Sequence, residues 1–415
     1  MHIVHTADRH YHINYLEDCK NTDSQLINFI KNNKVDLQVF AGDLNQKVIT
    51  QEGTQKSPHL LALETYTVLG NQSPIILIEG NPPHDVYGSL DVLSFLKTKY
   101  PIKVIKNCTD DFTIYNNTTK TFTDVSFEDL DIRKFIDSLN QEDELLFIFT
   151  LPWPSKLRFL TGDELSKSSI KELNQIYQTK MDDWLDKRKK LFKVLKKRIP
   201  FLLLAHLQLD GAKASTGQEL TSAFHKPAMF HELCHYGALG HIHKRQNFRE
   251  LYYSGSMHNT NLGEMEVKGF NYVEFIKEKG IAIDVEFIKL KTPLLMKLTL
   301  EGDEEIHTLE ELLEESMNNK KAQYKVWVFV DNVKSRKIVS EEKIRRLLHK
   351  HNGSKLIKLT IKEKVTTTLR GVSIKNNTDK PSTLEEKFLE WCSLNEITAN
   401  KFQIRKLHEA EESIR

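Results

Sequence analysis

What most constrains the fold of this chain is a recurring unit: a short apolar run, then a polar turn, then a helical stripe. Residues 3–6 and 35–41 read as short, mainly apolar buried strands, and 74–78 and 201–205 are continuous apolar runs of strand length. Between the early ones, residues 22–32 place Leu26, Ile27, Phe29 and Ile30 on one helical face, and residues 58–69 have the same texture. Strands apolar on both faces, alternating with helices, predict an α/β fold whose sheets are covered on both sides. Residues 105–150 predict further strands, 166–199 a long charged helix, 236–239 and 250–254 two more strands, and 270–287 a hairpin around Glu278-Lys279-Gly280.

At 415 residues the chain has room for two or three domains. The texture changes near residue 291. From there to residue 370, strand and helix signals alternate as βαβαβ, which predicts a small separate α+β domain. Residues 371–383, polar and carrying Pro381, predict a linker before a helical segment at 384–415. The expected domains are therefore 1–290, 291–370 and 384–415. No apolar run reaches the ~18–20 residues of a membrane helix, so no membrane association is expected. The four cysteines are scattered without a CxxC pair, arguing against a disulfide framework or a structural zinc knuckle and for a reducing compartment. Residues 1–5 run directly into a strand, so no secretory leader is expected and a cytoplasmic location is. The charge balance, 59 Lys+Arg against 57 Asp+Glu, neither requires nor forbids a polyanionic partner.

The informative residues sit where the predicted strands end. Asp8 and His10 follow the first, Asp43 the second and Asn81 the third; His206 follows the run 201–205, and His241 and His243 follow 236–239. In an open α/β sheet the ligand crevice lies at such strand ends. Any one of these motifs is ordinary: DxH and Gly-Asp are common turns, and only the i, i+2 pair His241/His243 suggests chelation by itself. Five strands ending this way point to a metal site. Carboxylate, imidazole and amide ligands without thiolate suit Mn²⁺, Fe²⁺ or Zn²⁺. Their number exceeds what one ion needs. Two ions ~3.5–4 Å apart, with a carboxylate between them, can activate a water and hold phosphate oxygens, so phosphoester hydrolysis is the expected chemistry.

The order DxH…GD…GN…H…GHxH resembles that of the calcineurin-like metallophosphoesterases. The runs HTADRH (5–10), AGDL (41–44), LPWPS (151–155), AHLQLDGA (205–212), ALGHIHKRQ (238–246) and YSGS (253–256) resemble more closely the SbcD-type nuclease subunits of bacterial SbcCD complexes. The resemblance covers residues 1 to about 290 by motif and the rest by layout. It implies an α/β sandwich of two mixed β-sheets flanked by helices, with a small α+β DNA-binding capping domain and a C-terminal helical segment. It also implies two divalent ions, Mn²⁺ expected: one held by Asp8, His10 and His243, the other by Asn81, His206 and His241, with Asp43 bridging. The family usually has Gly-Asn-His-Asp, whose His assists the phosphate or leaving group. Here Pro82-Pro83 intervene, so His84 either takes that role or is a displaced surface His. Arg9 stands where the family commonly has Trp, and it either meets substrate phosphate or forms an ion pair. Asn45-Gln46, after GDL, is given no proton-transfer role.

Two basic clusters bear on substrate. Residues 186–198 (DKRKKLFKVLKKR) form an amphipathic basic helix whose Lys187, Arg188, Lys189 and Lys190 are candidates for DNA backbone contact, unless the helix is simply a solvated face. The second cluster includes Lys343, Arg345, Arg346, His349 and Lys350. Leu384, Phe388, Leu389 and Trp391 form an apolar stripe that either binds a partner or folds back on this chain. In SbcD-like proteins such a segment docks on an SbcC-like ATPase of the SMC/ABC type. The resemblance thus implies a homodimer within a heterotetramer, acting on DNA as a double-strand exonuclease and single-strand endonuclease. No GxxxxGK[ST] occurs, so ATP dependence would come from the partner. Two other readings stay open: a small-molecule or cyclic-nucleotide phosphoesterase, and a catalytically weakened scaffold of the same fold.

Overall fold

A computed structural model of the chain describes residues 1–46, 57–109, 111–128, 130–139, 143–160, 169–221, 225–261, 263–301, 309–317, 323–333, 340–351 and 353–363. The chain divides into two compact units, Met1–Lys364 and Val365–Arg415. The linker 371–383, the helical segment 384–415 and its residues Leu384, Phe388, Leu389 and Trp391 lie outside the described residues.

In chain order the elements of the first unit begin with β1 (His2–Thr6), α1 (Leu16–Asn32), β2 (Leu37–Ala41), α2 (Pro58–Gly70), β3 (Ile75–Ile78) and β4 (Ile102–Ile105). There follow β5 (Asp111–Asn116), β6 (Thr121–Ser126), α3 (Ile132–Ser138), β7 (Leu145–Leu151), α4 (Lys156–Phe159), α5 (Ile170–Leu195) and β8 (Phe201–His206). The short β9 (Ala212–Lys213) and β10 (Glu219–Leu220) precede α6 (Pro227–Phe230), β11 (Tyr236–Gly240), β12 (Gln246–Phe248), β13 (Leu251–Tyr253) and the hairpin β14 (Gly269–Lys277)/β15 (Ile281–Lys289). The last are β16 (Leu294–Glu301), α7 (Leu309–Ser316), β17 (Tyr324–Val333), α8 (Glu341–Lys350) and β18 (Lys355–Glu363).

Two mixed sheets stack face to face, ordered β15-β14-β1-β2-β3-β4 and β12-β13-β11-β8-β7-β5-β6. β1 through β4 pair in parallel, as do β7, β8, β11 and β13, while hairpins close the edges. The side-chain alternation of each central strand explains the layers. Ile3, Val39 and Ile76 point inward against Ile148, Leu202, Leu204 and Ala238 of the other sheet. Val4, Phe40 and Leu77 point outward onto α1 and α2, through Leu26, Ile30, Tyr66 and Leu69. On the far side, Phe147, Phe149 and Leu203 meet Trp184, Leu191 and Leu195 of α5. Strands buried on both faces are mostly apolar, which is the pattern of β2 apart from Gln38 and of β8 up to its terminal His206. This is the sandwich of two mixed β-sheets flanked by helices that the resemblance implies.

After β15 the chain builds a three-stranded parallel sheet, β16-β17-β18. One face packs on α7 and α8 through Val326, Val328, Val330, Leu313, Ile344 and Leu348. This sheet is tied back to α1 by ion pairs Lys325–Asp18 and Lys355–Glu17.

Candidate metal centre

The parallel strands β1, β2 and β3 of one sheet and β8 and β11 of the other end at the same edge of the sandwich. Asp8 and His10 leave β1, Asp43 leaves β2, Asn81 leaves β3, His206 is the last residue of β8, and His241 and His243 leave β11. The loops are laced together by backbone bonds. Asp8 N–H donates to Gly42 O at 3.0 Å, His10 N–H to Asp43 O at 3.1 Å and Tyr11 N–H to Leu44 O at 2.8 Å. Close approach of these turns requires glycine. A Cβ on Gly80 would lie 2.0 Å from Asp43 Oδ1, and one on Gly240 would lie 1.9 Å from Ala41 O. The side chains themselves are held in unusual backbone conformations. Asp8, His10, Asp43 and His241, four of seven described non-glycine residues with positive φ, have φ of 50°, 47°, 58° and 93°. Such strain persists where the surrounding structure dictates it, commonly at functional sites.

Two clusters result, Asp8–His10–His243 and Asp43–His206–His241, linked by a third grouping of His10, Asp43 and His84. His10 Nε2 and His243 Nε2 face each other at 2.8 Å, and His206 Nε2 lies 3.2 Å from Asp43 Oδ1. Asn81 donates its backbone N–H to Asp43 Oδ1 at 2.9 Å, while its own Oδ1 is buried without a hydrogen-bond partner. Converging imidazole nitrogens, two buried carboxylates and an orphaned amide oxygen form a donor set suited to divalent cations, with nothing soft in it. The electrostatics agree. Burial pushes the Asp8 carboxyl up to about 6 against the pull of His243 and His206. Burial would raise Asp43 too, but the neighbouring His206, His10 and His84 hold it well below the usual carboxylate range. In turn Asp43 lifts the His206 imidazole above its ordinary value, despite the burial of the ring.

Residues around the cluster fix which nitrogen each ring presents. His206 Nδ1 donates to Ala41 O at 2.6 Å, leaving Nε2 toward Asp43. His243 Nδ1 pairs with Glu264 Oε1 at 2.7 Å, and Glu264 is itself held by Lys268 and Thr260. The Asp85 carboxylate accepts from the backbone N–H groups of Gly80, Leu44 and Asn45, pinning the β2 and β3 loops to each other. Such partners orient ligands and set their tautomers. The indole of Trp153, from the LPWPS run, lies 4.8 Å from the His241 ring and 6.0 Å from that of His206. Glu264 and Trp153 were not foreseen as site residues. Glu264 lies eight residues beyond the YSGS run, in a loop with no periodic signal, and only the fold brings it to His243.

His84 reaches the cluster. Pro82-Pro83 form a single turn in which His84 N–H and Asp85 N–H both donate to Asn81 O. That turn carries the His84 ring to 4.6 Å from the His10 ring. Its Nδ1 donates to Gln46 O at 2.7 Å, and its Nε2 lies 3.9 Å from Asp43 Oδ2. Gln46 therefore enters the site through its backbone carbonyl.

Arg9, read as meeting either substrate phosphate or an ion-pair partner, takes the ion pair, and Arg188, expected among the DNA contacts, is corrected to a buried position. Arg9 is only 3% exposed: it pairs with Asp23 at 3.2 Å and lies over the rings of Phe40 and Tyr66. Arg188 is fully buried, stacked 3.9 Å over Trp184, with its guanidinium donating to Thr109 O and Asp111 O. The reason is spacing: Trp184, Arg188, Leu191 and Leu195 lie on the face of α5 that packs on the sheet. Lys187 pairs with Asp183 at 2.7 Å, Lys189 is half-buried and Lys190 exposed. In the second basic cluster, Arg345 pairs with Glu341 and Arg346 with Glu342 along α8.

Stacked α/β sheets with histidines, carboxylates and an amide converging at their shared strand ends define a metal-dependent phosphoester hydrolase. The chain belongs to the calcineurin-like phosphoesterase family, whose sequence profile matches residues 1–245, more than half its length. No curated protein matches the chain. The family uses divalent metals, and Asp8, His10, Asp43, His206, His241 and His243 are the candidates to hold them. Among the described residues no helix is long and apolar enough to cross a membrane.

Proposed function

We propose that this phosphoesterase is a DNA nuclease of the SbcD type, hydrolysing phosphodiester bonds with two divalent ions, Mn²⁺ foremost. Trp153 supports the reading most directly. LPWPS is one of the runs on which the SbcD resemblance rests, and it lies outside the general metal motifs. Its indole nevertheless forms a wall of the metal centre against His206 and His241.

In this reading Asp8, His10 and His243 hold one ion, Asn81, His206 and His241 the other, and Asp43 lies between them. Bound there, the ions supply an activated water and bind the phosphate oxygens. The remaining work falls to the chain. Glu264 and Ala41 O keep the His243 and His206 rings in register. His84, anchored through Nδ1, offers Nε2 to a phosphate oxygen or to the departing sugar oxygen. A positioned proton donor of this kind contributes ~10²–10⁴-fold. Residues 384–415 would dock on an SbcC-like ATPase, so that two copies of this chain act within a heterotetramer.

The test is hydrolysis of linear duplex DNA with Mn²⁺, beside bis-p-nitrophenyl phosphate and a nucleoside monophosphate. DNA and the diester should be cut and the monoester largely spared. Cleavage of small phosphoesters with intact DNA would replace this reading with a small-molecule phosphoesterase. Inactivity on all three would indicate a scaffold.

A further inference from the structure

Among the described residues, the three-stranded sheet has helices over one face and nothing over the other, and this bare face is the unusual one. In register across it lie Lys297 and Thr299 on β16, Lys325, Trp327 and Phe329 on β17, and Lys358, Thr360 and Lys362 on β18. Trp327 and Phe329 stay outside the apolar core that Val326, Val328 and Val330 form on the opposite face. Instead the Lys297 and Lys358 ammonium groups each lie 4.7 Å from the Trp327 ring centre. Around Phe329, Lys297 lies at 5.3 Å and Lys362 at 5.1 Å. The indole N–H donates to Thr360 Oγ1 at 3.1 Å, and the Phe329 ring meets the indole edge to face, 6.3 Å away at 88°. None of Lys297, Lys358 and Lys362 has a carboxylate in ion-pair reach among the described residues, in contrast to the arginines of α8.

This face leads to the metal centre. One end of it, at Leu295, Lys325 and Lys358, forms one wall of a cleft of about 340 Å³ whose other wall includes Tyr15, Asn259 and Thr260. Tyr15 Oη donates to Thr260 O at 2.6 Å, and Thr260 Oγ1 lies 3.1 Å from Nδ1 of the ligand His243. The cleft wall is thus one residue removed from the metal site.

An aromatic ring flanked by unpaired lysines matches a single nucleic-acid strand, whose bases stack on the ring while its phosphates meet the ammonium groups. We propose that the β16-β17-β18 face is a binding surface for single-stranded DNA, with Trp327 stacking on a base, Phe329 bracing the indole edge to face, and the strand passing through the cleft toward the metal centre. This rests on the nuclease reading and adds to it which surface holds the strand, and by what chemistry.

The test is fluorescence anisotropy of labelled oligothymidine on the full chain with Ca²⁺ in place of Mn²⁺, so that binding is read without turnover. Stacking on one ring predicts that Trp327→Ala weakens binding about 5- to 150-fold. Trp327→Tyr should retain most of the affinity and guards against misfolding. Lys297→Ala with Lys358→Ala should flatten the salt dependence of log K by about 1.4. Hydrolysis of bis-p-nitrophenyl phosphate should be unchanged in all of them. Trp327→Ala binding within twofold of wild type would overturn the proposal, even if the wild type cuts DNA. So would a Trp327→Ala variant that changes only thermal stability, because the ring would then serve packing alone. Failure of the wild type to cut any DNA would instead count against the nuclease reading.

Discussion

His84 shows how much a single side chain can depend on its local turn. Two prolines lengthen the loop after Asn81, yet both residues that follow them hydrogen-bond back to the Asn81 carbonyl, and the ring returns to the cluster. Replacing it with alanine should lower phosphodiester hydrolysis by ~10²–10⁴-fold while the protein still binds its metals, as measured by turnover and by metal content after desalting. A variant of wild-type rate would remove His84 from the chemistry. His5 makes a different prediction. It is buried, paired with Tyr236 Oη at 2.8 Å, and burial pushes its pKa down to about 3. Between pH 6.5 and 3 the unfolded chain binds a proton there that the native one does not. The stability is therefore complete above pH 6.5 and falls as pH drops, by at most ~1.4 kcal/mol per pH unit. Thermal melts from pH 7 to 4.5 should show a shallower acid slope for His5→Gln; an unchanged slope would refute the assignment. At this scale the sequence was legible where ligands followed strands, because a strand's end is a fixed address. It was not legible for Glu264, Trp153 or the Asp23 partner of Arg9, which reach their positions only through tertiary packing.

Among the elements, α5 carries the clearest lesson. Its basic run reads as a phosphate-contacting face, but helical period decides which cations are available. Arg188 falls on the same stripe as Trp184 and Leu191, and its guanidinium satisfies the carbonyls of Thr109 and Asp111 where β5 begins. Arg188→Ala should lower stability by ~2–4 kcal/mol, since it strips buried carbonyls of a charged donor and leaves a void. DNA affinity should stay the same. Weaker DNA binding at an unchanged melting temperature would place Arg188 on the surface after all. The strands read more easily than the helices. β2, β3 and β8 are buried on both faces and hence almost wholly apolar, Gln38 and the terminal His206 being the exceptions. By contrast α1 begins at Leu16, six residues before its apolar stripe is evident, because its first turns bury Cys19, Thr22 and Asp23. β4 went unread, being four residues long with a lysine inside it.

At the scale of the molecule, the chain is a phosphoesterase sandwich whose strand ends gather the candidate metal ligands, with a three-stranded sheet tied to α1 beside it. The layered fold and the pooled ligand set were both visible in the alternation of apolar runs and polar turns. The sheet's bare face was not, since Lys297, Trp327 and Lys358 lie on three strands and meet only through register. The proposed partner contact belongs to this scale too. Deleting residues 383–415 should leave Mn²⁺-dependent hydrolysis of a small diester intact and abolish co-purification with an SbcC-like ATPase. Aggregation or metal loss in the truncated chain would assign the Leu384/Phe388/Trp391 stripe to this protein's own core.

The central claim is that the strand-end cluster is a metal-dependent phosphodiester hydrolysis centre. Its most direct test is bis-p-nitrophenyl phosphate turnover by chelator-treated protein reloaded with Mn²⁺, comparing wild type with Asp43→Ala and His206→Ala. The account predicts activity in the wild type only when metal is restored. It also predicts loss of about a thousandfold or more in each variant, with both still folded by circular dichroism. Metal-independent turnover, or a folded variant working at the wild-type rate, would contradict it.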